Sequence, residues 1–339
     1  MRENKKINIM LNLLKGFACV GVVFIHMPFP GNFGKIISTL SGFAVPLFFM
    51  IAGYYSFGNG PEVIKRRLSK IIKIFIYGYA CFFAYGIGYA IINHELTTWL
   101  ATNFTWKTPI QYVFFCTINF AVPLWYLIAM IETYLLWLLI IKKKKETFAL
   151  KLIPILFLLQ IILWTFCETR GLAWTWNINF VTRALPWYLT GYFFHTDKRK
   201  KYESVNTLKL IFVAIVGCLI TIIPTTFDLT LNFSCVGYIP LTLSLFIIAL
   251  KHPDTSLCKC LEYIGSKLSL NIYILHPIIG WLCQDICSKM LKINTDGVVY
   301  SWFRPFIVLL LSITFSLLIE QISHKIKENK YEKAGISRS

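Results

Sequence analysis

The sequence predicts an all-α, polytopic membrane helix bundle with about ten transmembrane helices, and three observations support this fold class. The 339 residues are 56% hydrophobic and only 15% charged, whereas about 25% of the residues of a soluble domain are charged. The mean hydropathy is +0.62. Apolar runs of about 20 residues, the length that crosses roughly 30 Å of hydrocarbon, recur from end to end. This pattern excludes a soluble enzyme, a secreted disulfide scaffold and a disordered chain.

Ten apolar windows define the predicted spans. The first apolar run has a charged flank and is too long for a signal-peptide core, so we expect it to remain as the first span. The windows are 8–28, 38–57, 71–93, 119–141, 147–166, 178–195, 207–225, 231–250, 268–288 and 303–324. Segment 94–118 is amphipathic and aromatic, and we expect it to lie at the membrane interface. We expect residues 1–339 to form a single integral membrane domain without a separate soluble domain.

The basic residues predict the orientation of these spans. The chain has 34 Lys and Arg against 16 Asp and Glu, a net charge of +18. They cluster in short tracts between apolar runs, which is typical of orientation signals rather than of nucleic-acid binding. With ten spans, 24 basic residues fall on the side of the termini and 6 on the opposite side. We therefore expect cytoplasmic termini in a bacterial cytoplasmic membrane, with membrane lipids as partners and no nucleic acid.

The ten cysteines are scattered, and most lie inside apolar runs. Buried thiols of this kind behave as small apolar groups. We therefore expect neither a disulfide framework nor a metal site.

Several ionisable residues fall at membrane depth, where a charge is costly and indicates function by default. Lys15 and His26 are eleven residues apart in span one, which places them on one helix face within about 20° and roughly 16 Å apart along the axis. Taken alone, Lys15 could also be a lysine that extends its ammonium group to the membrane surface, and His26 could be a hydrogen-bonded core histidine.

Polar residues occur in three further spans. In span nine, Ser269, Tyr273 and His276 are spaced by four and three residues, which predicts one polar stripe. Glu132 lies within span four and Arg183 within span six. A buried pair of these two could be catalytic or purely structural.

Six short segments carry more specific information. The first is KGFACVGVVFIH, in which ten residues separate Lys15 from His26. The others are VPLFFMIAGYY (45–55), KRRLSK (65–70), PLWYL (123–127), RALPWYLTGY (183–192) and GSKLSLNIYILHP (265–277). In this order they resemble elements of the acyltransferase-3 family of integral membrane acyltransferases, over essentially the whole chain. The chain departs from the family pattern at Asn12, at Ser41-Gly42 and at Lys70.

The resemblance implies transfer of an acyl group, usually acetyl, from acyl-CoA (acetyl-CoA) as co-substrate to a hydroxyl of an envelope glycan or lipid-linked sugar. It also implies His26 as the general base, a role that suits imidazole. We expect the acyl-CoA head to dock at the cytoplasmic face and its thioester to reach outward through a polar channel. The predicted site residues are His26, Lys15, His276, Tyr273 and Glu132 as catalytic residues; Arg66, Arg67, Lys70 and Lys15 for acyl-CoA; and Trp125, Arg183 and Ser269 for the acceptor.

Alternatives stay open at this stage. The third-span basic tract could serve only as an orientation signal. Trp125, Trp187 and Tyr188 suit stacking on sugar faces, but anchoring at the membrane interface explains tryptophan equally well. Ten spans with ionisable residues also fit a membrane carrier for a small solute, although no inverted repeat is evident. The sequence names neither the acceptor nor the oligomeric state.

Overall fold

The computed structural model of the chain describes residues 8–196, 202–227 and 234–333, and within these ranges it contains helices and turns but no β-strand. The α-helices are α1 (Ile9–His26), α2 (Gly31–Ser41), α3 (Ala44–Tyr54), α4 (Pro61–Ile92), α5 (Leu96–Asn103), α6 (Thr108–Phe115), α7 (Trp125–Lys142), α8 (Glu146–Lys151), α9 (Ile153–Thr169), α10 (Phe180–Arg183), α11 (Leu185–Phe194), α12 (Thr207–Thr226), α13 (Ser234–Lys251), α14 (Lys259–Tyr263), α15 (Ser269–Asp285) and α16 (Val298–Lys333).

Two kinds of tighter or wider helical segment complete this list. 3₁₀ turns precede α7 and α10, at Asn119–Leu124 and Trp174–Asn177. π-helical segments flank α15, at Ile264–Leu268 and Ile286–Met290.

Seven helical segments of the described chain are long and apolar enough to cross a membrane. They are Ile9–His26, Gly31–Tyr54, Pro61–Ile92, Thr108–Lys142, Thr207–Thr226, Ser234–Lys251 and Val298–Ile326. The all-helical membrane fold is therefore confirmed, whereas the number ten and the side of the termini remain predictions. The basic tract 198–201, both chain ends and residues 231–233 of the predicted eighth span lie outside the described residues.

The other three predicted spans, 147–166, 178–195 and 268–288, fall on shorter or interrupted helices. In the second of these, the Asn179 side chain accepts a hydrogen bond from Thr182 N at 2.9 Å and starts α10, while Pro186 in the first turn of α11 starts a new helix. In the third, α15 itself has 17 residues, and π-helical segments adjoin it directly on both sides. Helices α5 and α6 have 8 residues each, too short to cross roughly 30 Å of hydrocarbon individually.

The described chain divides into two compact units. Unit 1 combines the residues up to Ala44 with those from His252 onward, and unit 2 comprises Val45–Lys251. Unit 1 therefore contains α1, α2 and α14 to α16. Unit 2 contains α4 to α13 and nearly all of α3.

In unit 1, α1 packs in parallel along the helical segment that ends in α15. Asn8 begins α1 by accepting a hydrogen bond from Leu11 N at 2.8 Å. A methyl group on Gly16 would lie 2.1 Å from Leu261 O, and one on Gly265 would lie 1.9 Å from Asn12 O. Only glycine allows two backbones to approach this closely, as in other membrane helix pairs. The crossing therefore fixes the register of α1 against α15.

In unit 2, α3 and α11 make a second crossing of the same kind. A methyl group on Gly53 would lie 1.8 Å from Tyr188 O, and one on Gly191 would lie 1.9 Å from Met50 O. Both glycines belong to segments that carry the family resemblance, IAGYY and LTGY. These two segments therefore have a structural reason for their glycines.

Candidate functional site

The structure brings together two of the predicted catalytic residues, His26 at the end of α1 and His276 within α15. Their ring centroids are 5.2 Å apart with the planes inclined at 47°. His276 is fully buried, and His26 is half-buried. Met27, the residue after His26, packs against Gly280, which lies one turn after His276 on α15. A methyl group on Gly280 would lie 2.0 Å from Met27 Cε. We call His26 and His276 the histidine pair.

Hydrogen bonding sets the tautomer of His276. Its Nδ1 lies 2.9 Å from Ile272 O, and a carbonyl oxygen can only accept, so Nδ1 donates. In the neutral ring the other nitrogen, Nε2, then carries a lone pair. Within the described residues, Nε2 is buried and has no hydrogen-bond partner. The ring nitrogens of His26 likewise make no hydrogen bond to the described part of the chain. The histidine pair therefore has ring nitrogens that can still form hydrogen bonds.

Pro277 contributes to this local arrangement. Proline has no N–H, so the carbonyl of Tyr273, four residues earlier, receives no helical hydrogen bond from it. The ring of Tyr273 is half-buried, and its centroid lies 6.5 Å from that of His276. Tyr273 and the histidine pair therefore form one cluster in unit 1.

Ser269 lies at the other end of the polar stripe on α15. Its hydroxyl donates to Gly265 O on its own helix at 3.2 Å. Its carbonyl oxygen lies 3.7 Å from the Cys19 thiol on α1. The hydroxyl proton is thus used within the helix, while the oxygen can still accept hydrogen bonds, and the role of Ser269 in binding the acceptor stays a prediction.

Lys15 lies one turn before Cys19 on α1 and is half-buried. Among the described residues it forms no ion pair or hydrogen bond. A partly desolvated ammonium group without a carboxylate partner is costly. Such a group is available to a bound anion or polar ligand.

The residues of the third-span basic tract, which lies in unit 2, have two different environments. Arg67 turns inward, where its Nη1 donates to Ser56 Oγ at 3.0 Å and its Nη2 donates to Tyr55 O at 2.7 Å. These acceptors lie just after α3, where helix carbonyls lack intrahelical partners. Arg66 and Lys70 are exposed. They form no ion pair or hydrogen bond within the described ranges, so both are available to a ligand, whereas two N–H groups of Arg67 are already engaged.

His195, which sequence reasoning did not single out, supports the same end of α3. Its Nδ1 lies 3.0 Å from Tyr54 O, and its ring stacks on Phe57 at 4.9 Å with an interplanar angle of 16°. No sequence signal marks this contact, because it joins residues 141 positions apart.

Glu132 and Arg183 belong to unit 2 and are not an ion pair there. Glu132 Oε2 accepts a hydrogen bond from the Cys116 thiol at 3.1 Å. The Arg183 guanidinium lies over the Trp164 ring, 4.8 Å from its centroid. The hypothesis of a direct Glu132–Arg183 pair is therefore wrong.

Three aromatic residues were candidates for stacking on sugars. Trp187 and Tyr188 are fully buried, with Phe157 4.8 Å from Trp187 and Trp137 5.5 Å from Tyr188 between ring centroids. These two are core residues, so the stacking hypothesis is wrong for them. Trp125 is half-buried beside Phe49, at 6.4 Å.

Comparison with known proteins adds one finding. A protein-family model described as "Acyltransferase domain", of the acyltransferase-3 type, matches residues 8–321. No curated protein and no solved structure matches the chain. The family match includes all the described helices of both units up to the last turns of α16.

Proposed function

Because the chain belongs to the acyltransferase-3 family and is a membrane acyltransferase, we propose that it transfers an acetyl group from cytoplasmic acetyl-CoA to a hydroxyl of an envelope glycan or lipid-linked sugar. We place this activity in the bacterial cytoplasmic membrane. The observation that carries the proposal is the histidine pair, with rings 5.2 Å apart and with the tautomer of His276 set by Ile272 O at 2.9 Å.

His26 acts as the general base. The resting structure has no hydrogen bond between the two rings; in the reaction, His276 Nε2, with its lone pair, accepts a hydrogen bond from one nitrogen of His26. That contact leaves the lone pair of the second His26 nitrogen for the acceptor hydroxyl. A histidine oriented by a neighbouring acceptor is a common arrangement in acyl transfer.

The reaction balances on these groups. The acceptor oxygen attacks the thioester carbon as His26 takes the hydroxyl proton, and the carbon–oxygen bond forms. The carbon–sulfur bond then breaks, and the proton passes from His26 to the departing CoA thiolate. Negative charge on the carbonyl oxygen between these steps needs a donor, for which the Tyr273 hydroxyl is suitable.

Basic residues serve the donor. Lys15 lies roughly 16 Å from His26 along α1, too far to contact the reacting atoms, and suits the polar pantetheine arm of CoA. Arg66 and Lys70 in unit 2 are exposed and suit the phosphates of the nucleotide head. Arg67, which is engaged at the end of α3, does not bind the donor.

The direct experiment measures acyl transfer in proteoliposomes with the purified full-length protein. Acetyl-CoA with an isotopically labelled acetyl group is supplied together with glycan extracted from the cell envelope, and labelled sugar is detected by mass spectrometry. We expect His26→Ala to lower the rate by roughly 10²–10⁴, the usual effect of losing a general base. His324→Ala, which removes an exposed histidine, is the matched control and should retain activity. Activity of His26→Ala above half of wild type would contradict the proposal.

A second experiment tests whether the acetyl group passes from acetyl-CoA on the cytoplasmic face to an acceptor on the opposite side of the membrane. Sealed inside-out vesicles receive acetyl-CoA outside, on the cytoplasmic face, with the acceptor either trapped in the lumen or added outside. We expect only the luminal acceptor to be acetylated. Acetylation of only the outer acceptor would show that the reaction takes place on one side.

A further inference from the structure

A cleft in unit 2 is not used by the mechanism above. It has a volume of about 410 Å³ and lies between α6 and the 3₁₀ turn Trp174–Asn177. Two tryptophans, Trp106 and Trp176, line it together with polar side chains, which include Lys107, Gln111, Asn119 and Thr175. We call it the tryptophan cleft. Its volume falls within the range of small-molecule sites.

The two indole rings are accessible within the cleft. Trp106 is 78% exposed and Trp176 is 53% exposed. The Phe115 ring supports Trp176 from the side, with centroids 5.0 Å apart at 72°. Lys107 Nζ lies 5.5 Å from the centroid of the Trp106 ring. The cleft therefore presents flat apolar faces next to hydrogen-bonding groups.

Backbone geometry holds the polar groups beside these rings. Cys116 ends α6 in the left-handed region, with φ of 48°, and Thr117 N then donates to Gln111 O at 3.1 Å. This turn directs the chain back past α6 to Asn119. A left-handed residue at this position is a common way to end a helix.

The composition of the lining indicates the chemistry of the ligand. The amides of Gln111 and Asn119 can each donate and accept, and Thr175 adds a hydroxyl and Lys107 an ammonium group. Among the residues that the structure describes, no carboxylate lines the cleft. Alternating hydroxyl and C–H surfaces are the property of a pyranose ring, whose C–H face packs on an indole while its hydroxyls meet amides.

We propose that the tryptophan cleft binds a pyranose residue of the acceptor glycan other than the one whose hydroxyl is acylated. This inference rests on the proposed function and adds a location for part of the acceptor. Trp106 and Trp176 share one concave site with five polar side chains. Anchoring at the membrane interface alone requires an amphipathic ring at the headgroup level but no such shared lining.

Saturation-transfer-difference NMR tests the inference with the full-length protein in lipid nanodiscs and without acyl-CoA. The method suits this chain because ten tryptophans would obscure a fluorescence change at two of them. The probes are cellotetraose, maltotetraose and chitotetraose. We expect transfer to the ring C–H protons of at least one probe, and Trp106→Ala or Trp176→Ala to weaken that binding about tenfold or more, as removal of an aromatic anchor does.

Phe114→Ala is the matched control, since Phe114 is 65% exposed on the same α6 helix but does not line the cleft. It should bind the probe as wild type does. Equal binding by wild type and both tryptophan variants, or no transfer to any probe with folded protein, would overturn the inference. His26→Ala should retain the binding, so failure of the catalytic proposal and failure of this one are distinguishable. In transfer assays the tryptophan variants should raise the acceptor KM more than they lower kcat.

Discussion

Units 1 and 2 each contain a helix crossing held by glycines, but they use their polar residues differently. In unit 1, the contact between α1 and α15 leaves His276 Nε2 buried without a hydrogen-bond partner in the described part of the chain. In unit 2, polar side chains form hydrogen bonds with the carbonyls at the end of α3. Arg67 bonds to Tyr55 O and His195 bonds to Tyr54 O.

This difference separates two meanings of a polar residue in a membrane helix. A group that donates its hydrogen bonds to carbonyls stabilises the fold, because a buried polar group without a hydrogen-bond partner costs about 1–3 kcal/mol. A buried group without a hydrogen-bond partner carries that cost in the resting protein and can form its hydrogen bond during the reaction instead, as we propose for His276 Nε2 with His26. We therefore assign chemistry to the histidine pair and architecture to Arg67 and His195. The following substitutions test this division, from the largest expected effect to the smallest.

The glycine crossings should be the most sensitive positions. Gly191→Leu would force a side chain into Met50 O, which lies 1.9 Å from the position of a methyl group, so we expect loss of folded protein, equivalent to more than about 4 kcal/mol. Fluorescence-detected size-exclusion chromatography in detergent measures the folded fraction. Gly88→Leu is the control, because no atom of the described part of the chain lies within 4 Å of a methyl group at Gly88. A monodisperse Gly191→Leu protein of unchanged stability would refute the crossing.

Substitution of His276 should act on turnover. His276→Phe keeps a planar ring but removes both nitrogens, so His26 loses its orienting acceptor, and we expect kcat to fall by about 10²-fold, as for a misplaced catalytic group. Steady-state kinetics with acetyl-CoA over a range of pH measures this effect, and the pH profile of kcat should change as well. A profile and kcat identical to those of wild type would mean that His276 only fills space.

The basic tract should respond according to where each side chain points. Arg67→Ala removes two hydrogen bonds at the end of α3 and should destabilise the protein by about 1–3 kcal/mol. The double variant Arg66→Gln, Lys70→Gln should keep its stability within about 0.5 kcal/mol and raise the KM for acetyl-CoA. Thermal unfolding and donor kinetics give the two readouts. The reverse pattern, with a stable Arg67→Ala that binds donor poorly, would contradict the division.

Ser269→Ala should have the smallest effect. The hydroxyl bonds a carbonyl of its own helix, and such bonds add little to a helix, so we expect a change in stability within about 0.5 kcal/mol and an unchanged acceptor KM. Thermal unfolding and acceptor titration measure both. A large rise in acceptor KM would restore Ser269 as a substrate contact.

The sequence predicted those features of this protein that depend on composition and spacing. The apolar windows located the seven long apolar helices, and the eleven-residue spacing placed Lys15 and His26 on one face of span one. The link between His26 and His276 rested on the family resemblance together with the polar stripe of span nine. The breaks between helices were harder to predict from the sequence. Asn179 acts as a cap only because its side chain meets Thr182 N, and an isolated Asn-x-x-Thr does not identify such a cap.

The roles of Arg67, Trp187 and Tyr188 could not be predicted for a different reason. Helices that are apolar on all sides show no periodicity that tells a buried face from a lipid-facing one, so the burial of Trp187 and Tyr188 follows only from tertiary packing. Arg67 is indistinguishable from Arg66 in the sequence. Which of the two turns inward depends on the rotation of α4 against the end of α3.

The most direct measurement compares two histidine-to-alanine variants, one in each unit, for both thermal stability and turnover. We predict that His26→Ala keeps its Tm within about 2 °C, which corresponds to roughly 1–2 kcal/mol, and loses roughly 10²–10⁴ in acetyl transfer. We predict that His195→Ala lowers the Tm and retains its turnover per folded molecule. If His26→Ala instead lost stability while keeping its turnover, or His195→Ala kept its Tm and lost turnover, the division between chemistry in unit 1 and architecture in unit 2 would be wrong.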